Sequence, residues 1–224
     1  MSEVETAAQE DAPTEERQEP YAGLTDEERE RREAALAQVR TFGDPVLKSR
    51  ASEVTRFGAE LEQDAQRMIA LMRDAMGVGL AATQLGVMQR LFVFAAGPDA
   101  TPTAVANPVI EWTSEEAAVA EEGCLSIPGV AVDVERPLYA RVSGQDTSGE
   151  ALTLEAAGLE ARVLQHEIDH LDGVLMLDRT EREQRRGALR ALREGESYAP
   201  PRAEEATGEA SASDGDSAAH ERAQ

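Results

Sequence analysis

Between residues 57 and 76 the apolar positions Leu61, Ala65, Met68, Ile69, Met72 and Met76 recur mostly three and four apart. That spacing lines one face of an amphipathic helix, and Gly77 and Gly79 end it. The period then shortens. Residues 90–95 form a compact apolar run around Phe92, Val93 and Phe94, which predicts a buried strand. Further short strands are predicted over 104–112, 117–123, 130–134, 138–144 and 151–155, with Pro and Gly supplying the turns between them. From Leu159 the period lengthens again. Leu159, Val163, His166 and His170 fall at offsets of four, three and four, so they share one face of a helix ending near Gly173. One helix, a block of strands and a late helix argue for an α+β fold with antiparallel pairing rather than repeated βαβ units. No internal repeat is visible.

Composition changes this picture mainly at the ends. The chain has 224 residues, enough for one domain with tails, and 41% are hydrophobic. Its net charge of −22 is unevenly spread. Residues 1–34 carry about 12 acidic against 4 basic side chains, and 194–224 about 8 against 2. Both ends are rich in Ala, Ser, Glu and Pro, so disordered acidic tails are expected over 1–36 and 195–224. Charge runs of this kind solvate a chain and say little about its chemistry. A folded domain over 37–178 and a basic helix over 179–194 are expected between them. The single cysteine excludes an internal disulfide. The acidic amino terminus has no apolar run, and no stretch is long and apolar enough to span a bilayer, so a cytoplasmic protein is expected.

The late helix carries the chemistry. Two of the three histidines lie in Gln165-His166-Glu167-Ile168-Asp169-His170. Four residues apart, His166 and His170 can hold one metal ion, and Glu167 beside them can take a proton from its water. A lone histidine on an apolar face is more often part of the core, but two at this spacing with a Glu between them are not. The third ligand discriminates among enzymes. A metallopeptidase would use a later Glu, for which Glu181 and Glu183 are the nearest. The other choice is Cys124, in Glu122-Gly123-Cys124-Leu125-Ser126, since a thiolate and two imidazoles suit Zn²⁺ or Fe²⁺ and leave a fourth position open. An isolated cysteine is more commonly a small buried apolar residue. A structural metal in a non-catalytic module is the remaining reading.

A third segment, Gly77-Val78-Gly79-Leu80-Ala81-Ala82-Thr83-Gln84, combines paired glycines with one amide. Gly77 suits a helix end, glycines let a substrate backbone approach, and Gln84 can donate to a developing oxyanion. With these three segments in order, at 77–84, 122–126 and 165–170, the chain resembles the peptide deformylase family. Gly43-Asp44-Pro45-Val46-Leu47 is similar to the family's amino-terminal stretch. The resemblance covers roughly residues 38–180. It implies antiparallel β-sheets packed around a central helix that carries the metal-binding histidines. It also implies removal of the formyl group from the starting methionine of new polypeptides, with release of formate.

By that resemblance Cys124, His166 and His170 hold the metal, Glu167 is the general base, and Gln84 with the Leu125 N–H stabilises the oxyanion. The resemblance also implies that Gly79 and Gly123 present backbone to the peptide; Val78, Leu159 and Val163 are the candidates for the apolar slot methionine needs, because the stripe on the late helix leads towards His166. Asp169 faces away from the histidines and is expected to pair with Arg136. The position where some relatives carry a substrate-contacting arginine is Ala131 here. The cofactor implied is one Fe²⁺ per chain, although Zn²⁺ should bind these ligands at least as tightly. The partners implied are formylmethionyl nascent peptides and, through the arginines of 179–193, the ribosome. No membrane or DNA partner is implied, and a monomer is expected.

Overall fold

The computed structural model describes residues 23–97 and 100–201. Most of both expected tails, 1–22 and 202–224, lies outside the described residues. The amino-terminal tail was expected to run to residue 36, but Asp26–Leu36 is a helix, α1. Thr25 caps it. Its Oγ1 accepts from Glu28 N at 3.3 Å while Glu28 Oε2 accepts from Thr25 N at 2.8 Å, a reciprocal capping box. The acidic composition that reads as solvated tail therefore also supplies a helix start.

The chain then makes a single turn over Pro45–Lys48 and the amphipathic helix α2, Ala59–Asp74. Strand β1, Gly79–Ala81, and a tight turn over Ala82–Leu85 follow. The remaining strands are β2 (Leu91–Phe94), β3 (Thr103–Thr113), β4 (Ala117–Cys124), β5 (Ile127–Pro137), β6 (Tyr139–Gln145) and β7 (Ala151–Ala157). Helix α3, Gly158–Leu171, leaves directly from β7, and the short α4, Met176–Arg179, and α5, Arg182–Glu194, complete the order. Five strands pair antiparallel in the order β1-β2-β3-β6-β7, and β4 with β5 forms a separate hairpin sheet. The α+β expectation holds. Strand β1 was not expected, because three small residues between glycines carry no strand pattern.

Strand β2 explains its own sequence. Leu91 and Val93 point into a core with α2, while Phe92 and Phe94 point into a core with α3. Successive side chains alternate between faces, so a strand covered on both must be apolar throughout. Strand β3 is less regular. Its register with β6 shifts between Ala106 and Val109, where Asn107 adopts φ +50° and Pro108 brings no N–H. The Asn107 side chain stands in for the missing ladder: its Oδ1 accepts from Val54 N at 2.8 Å and its Nδ2 donates to Val54 O at 3.0 Å.

Helix α3 touches strands of both sheets, β1, β2, β6 and β7 on one side and β5 on the other. The hairpin itself rests on a third apolar cluster of Leu47, Ile127, Val132, Val134, Met176 and Leu177. Beyond α5 the chain does not become a tail at 195 as expected. Gly195 turns it back at φ +72°, and Tyr198 pairs with β5, donating its N–H to Gly129 O at 2.9 Å and accepting from Ala131 N at 2.8 Å.

Two glycines with the same backbone separate strain from crowding. Gly173, after α3, has φ +73°, and a Cβ there would lie 2.7 Å from the Lys48 carbonyl carbon; Gly195 has φ +72° and open space. Gly195→Ala is expected to cost only the left-handed penalty, about 1–2 kcal/mol. Gly173→Ala should cost more, about 3 kcal/mol or above, because backbone must also move. Urea denaturation of the two variants against the parent checks the ranking.

Candidate active site

Three separate elements converge. Cys124 closes β4, His166 and His170 lie one turn apart on α3, and Gln84 sits in the turn after β1. The donor atoms of Cys124, His166 and His170 all lie within 4.8 Å of one another. Cys124 Sγ and His170 Nε2 are 3.2 Å apart, and the two imidazoles meet edge to face with centroids 4.9 Å apart. Two ligands of one tetrahedral ion stand roughly 3.5 Å apart, given bonds of about 2.0–2.3 Å. The cluster therefore fits one divalent ion on chemistry and on spacing. Glu181 and Glu183, the metallopeptidase alternative, are exposed around the start of α5 and belong to no such cluster among the described residues.

What orients the ligands is a buried ion network. Glu122 Oε2 stands 3.0 Å from His166 Nδ1, which leaves Nε2 of that ring as the ligand nitrogen. Arg136 grips the same carboxylate with two hydrogen bonds, Nε to Oε1 at 2.6 Å and Nη2 to Oε2 at 3.0 Å. Arg162 adds a third at 2.8 Å and also donates to the carbonyls of Val134 and Ala118. Arg136 Nη1 reaches Asp169 at 2.9 Å, the pairing expected from sequence, and Arg179 closes the far side of Asp169 at 2.6 Å. Burial pushes the Glu122 carboxyl up, but the hydrogen bonds from His166 and Arg136 outweigh it and hold its pKa down at about 2.

Glu122 was not singled out in the sequence. A signal was available: in a strand, residues two apart share a face, so Glu122 must lie on the same side of β4 as Cys124.

Glu167 is the opposite kind of carboxylate. It is buried, its Oε2 has no hydrogen-bond partner, and desolvation raises its pKa to about 7. It lies against Gly79, where a Cβ would overlap its carboxylate and stand 2.7 Å from its carboxyl carbon. Gly79 thus makes room for Glu167, a role distinct from presenting backbone to a peptide. Gln84 is almost fully buried. Its Oε1 accepts from Ala81 N at 2.9 Å, which fixes the amide so that Nε2 donates to Ser126 Oγ at 3.1 Å and more weakly to Cys124 Sγ at 3.6 Å. Leu125 packs over Gly77, where a Cβ would meet its Cδ1 at 2.9 Å.

These groups open onto a groove of about 1590 Å³. Val78, Leu159 and Val163 all line it; Val78 and Leu159 are exposed, whereas Val163 is buried and belongs also to the α3 core. Gly123 lines it without being crowded, the nearest atom to a Cβ being Val130 O at 3.9 Å.

Residues 36–186 match the family model described as polypeptide deformylase. The chain belongs to the polypeptide deformylase family. It is 44% identical over 162 residues to a peptide deformylase of Parafrankia sp. (strain EAN1pec), covering 72% of this chain and 88% of the relative. To the peptide deformylase of Thermotoga maritima it is 49% identical over 144 residues, 64% of this chain and 87% of that one. Among solved structures, a Synechococcus elongatus peptide deformylase in complex with actinonin superposes with a TM-score of 0.66 at 42% identity, covering 71% of this chain and 88% of that one. The deformylase match contains the whole Cys124–His166–His170 cluster, and most of α1 precedes it.

Two substitutions test this arrangement of a deformylase site. Glu122→Gln keeps the shape but removes the charge that orients His166, so metal affinity should fall about 10- to 100-fold, measured by competition with a chelator. Gly79→Ala should leave metal affinity within about threefold yet lower the turnover number at least about tenfold, because Glu167 is displaced. Metal content and formate release measured on one preparation separate the two effects.

Proposed function

We infer that this deformylase hydrolyses the formyl amide of the starting methionine of new polypeptides, releasing formate and a free amine. The observation that carries the reading is the convergence of a Cys-His-His donor set, a desolvated carboxylate and a fixed side-chain amide on one groove. Cys124, His166 and His170 would hold a divalent ion, which when bound would supply Lewis-acid activation of water. Ferrous iron is our assignment, on the family resemblance, and the donors suit zinc equally well.

The other steps belong to the protein. Glu167, a buried carboxylate whose pKa desolvation raises, accepts the proton of the attacking water. As the C–N bond breaks, it returns that proton to the departing amine, so the carboxylate is regenerated. The oxyanion that forms in between is held by the Gln84 amide and the Leu125 N–H. The long contact from Gln84 to sulfur is the one a developing oxyanion takes over, since the bond to Ser126 is shorter and keeps the amide in place. Each such donor is worth about 3 kcal/mol of barrier. Val78, Leu159 and Val163 receive the methionine side chain, whose flexible thioether suits a wall of mixed aliphatic residues.

No helix among the described residues is long and apolar enough to cross a membrane. We place the enzyme in the cytoplasm as a monomer, where nascent chains emerge. The exposed arginines Arg186, Arg190 and Arg193 of α5 would meet ribosomal phosphates.

Glu167→Gln is the decisive variant. It should retain the metal and lose about 10²- to 10⁴-fold in formate release from formyl-Met peptides, assayed anaerobically. Formate release at the parent rate by a metal-loaded Glu167→Gln protein would remove Glu167 from this role. Treatment with a chelator should abolish the activity of the parent, and adding Fe²⁺ or Zn²⁺ back should restore it.

A further inference from the structure

One wall of the groove is built by a segment that the family match does not reach. That match ends at residue 186, within α5, yet Ser197, Tyr198 and Ala199 line the groove together with Cys124 and His166. The groove measures about 1590 Å³, against roughly 300–1000 Å³ for sites that enclose one small molecule. A single formylated residue therefore leaves room for the residues that follow it.

Residues 195–199 form a strap whose place is fixed by several contacts. Gly195 turns the chain at φ +72°, and Glu196 N donates to Ala191 O at 2.8 Å, closing the end of α5. Tyr198 then makes a parallel bridge to β5, donating to Gly129 O and accepting from Ala131 N. Two more glycines make room for the strap. A Cβ on Gly187 of α5 would overlap the Tyr198 ring and stand 3.0 Å from its Cζ. A Cβ on Gly129, at φ +75°, would lie 3.3 Å from Ser197 Oγ. Pro200, next in the chain, is buried.

The bridge decides which way the main chain of the strap faces. In extended backbone the N–H and C=O groups of successive residues are directed to opposite edges. Tyr198 commits both of its groups to β5, so those of Ser197 and Ala199 are directed away from it. Neither of these two residues has a hydrogen-bond partner among the described residues. Unpaired main-chain groups of this kind are a template for an extended peptide. The side chains on the same groove favour no one charge, since exposed Glu121 lines it with Arg32, Met76 and Val78. Nascent polypeptides share only their main chain, and main-chain partners are what the strap offers.

We propose that the strap is the downstream wall of the peptide groove, and that the main-chain groups of Ser197 and Ala199 hydrogen-bond to the backbone of the nascent peptide beyond the formyl-methionine. This rests on the deformylase reading above and extends the site past the family match. The strap acts on peptide binding, so its effect falls on KM and only for substrates long enough to reach it.

The test uses metal-loaded, anaerobically purified full-length protein with formyl-Met amide and formyl-Met-Ala-Ala-Ala-Ala amide, plus pentapeptides in which an ester replaces each downstream amide in turn. An ester removes one N–H donor and weakens one carbonyl acceptor. At one or more positions the ester should lower the parent's kcat/KM about two- to tenfold, the range of one hydrogen bond. That penalty should vanish in Tyr198→Pro, which lacks the N–H that ties the strap to Gly129. Ala199→Pro spares both Tyr198 bonds but loses one outward N–H, and should lower the pentapeptide-to-amide ratio of kcat/KM about two- to tenfold. Each ratio compares two substrates on one preparation, so a partly unfolded variant does not alter it. An ester penalty of equal size in the parent and Tyr198→Pro at every position overturns the proposal, and so does a pentapeptide-to-amide ratio that neither variant moves. Failure of the parent to release formate from formyl-Met amide would instead bring down the deformylase reading itself, a separate outcome.

Discussion

The carboxylate of Glu122 is the constraint on which the rest depends. Strands β4 and β5 share no ladder with the five-stranded sheet, yet β4 brings the thiolate that must meet two imidazoles on α3. Apolar packing under Ile127, Val132 and Val134 seats the hairpin on Leu47, Met176 and Leu177 rather than on α3, and it is not directional. Glu122 supplies direction. It is bonded at once to His166 of α3, to Arg136 of β5 and to Arg162 one turn earlier on α3. A buried carboxylate costs several kcal/mol unless every partner is in place, so only one relative position of hairpin and helix satisfies it. Its return is a unique geometry at the ligands rather than added stability.

The two buried glutamates beside the ligands show how environment divides roles between identical side chains. Glu122 is met by three cationic or donating groups and stays ionised down to about pH 2. Glu167, one helical residue from His166, faces Gly79 and bare backbone, and its pKa rises to about 7. One carboxylate is fixed as a permanent charge, the other left free to exchange a proton. Displaced pairs of this sort assign structural and catalytic parts without reference to sequence position. Gly79 matters here through what it lacks, since any side chain would take the space the Glu167 carboxylate occupies.

How much of this was legible beforehand depended on the range of the signal. Local periodicity located α2, α3 and six of the seven strands, because each carries its own apolar pattern. Strand β1 has none; it is a strand only because β2 lies beside it, with Leu80 opposite Val93. Helix α1 was masked by its own charge, although Thr25 followed three residues later by Glu28 is a capping signature that composition alone should not override. The return of Tyr198 to β5 is a long-range event with no nearby sequence cue, whereas Pro108 inside β3 was a local cue to its interruption. The Cys124–His166–His170 cluster was legible because metal chemistry restricts which residue types can serve. Glu122 and Arg162 were not, because their significance lies in what they touch.

Helix α3 gives the last step. It is buried on nearly every face, with Gln165, Glu167, Asp169 and His170 all inside. A helix so placed must find a partner for each polar atom or lose about 1–3 kcal/mol for every one left over. Gln165 donates to Pro137 O and Ala161 O, and Asp169 is held by Arg136 and Arg179. The exceptions on this helix are Glu167 Oε2 and His170 Nδ1. A sequence shaped for stability alone would have put apolar residues at both positions, as it did at Leu164, Ile168 and Leu171 around them. The unmatched oxygen of Glu167 falls on the residue proposed to move a proton, whereas His170 meets the Cys124 sulfur through Nε2 and its open Nδ1 is a cost with no such return. At Glu167 stability is given up where the chemistry requires it, and the polar groups of Gln165 and Asp169 are satisfied.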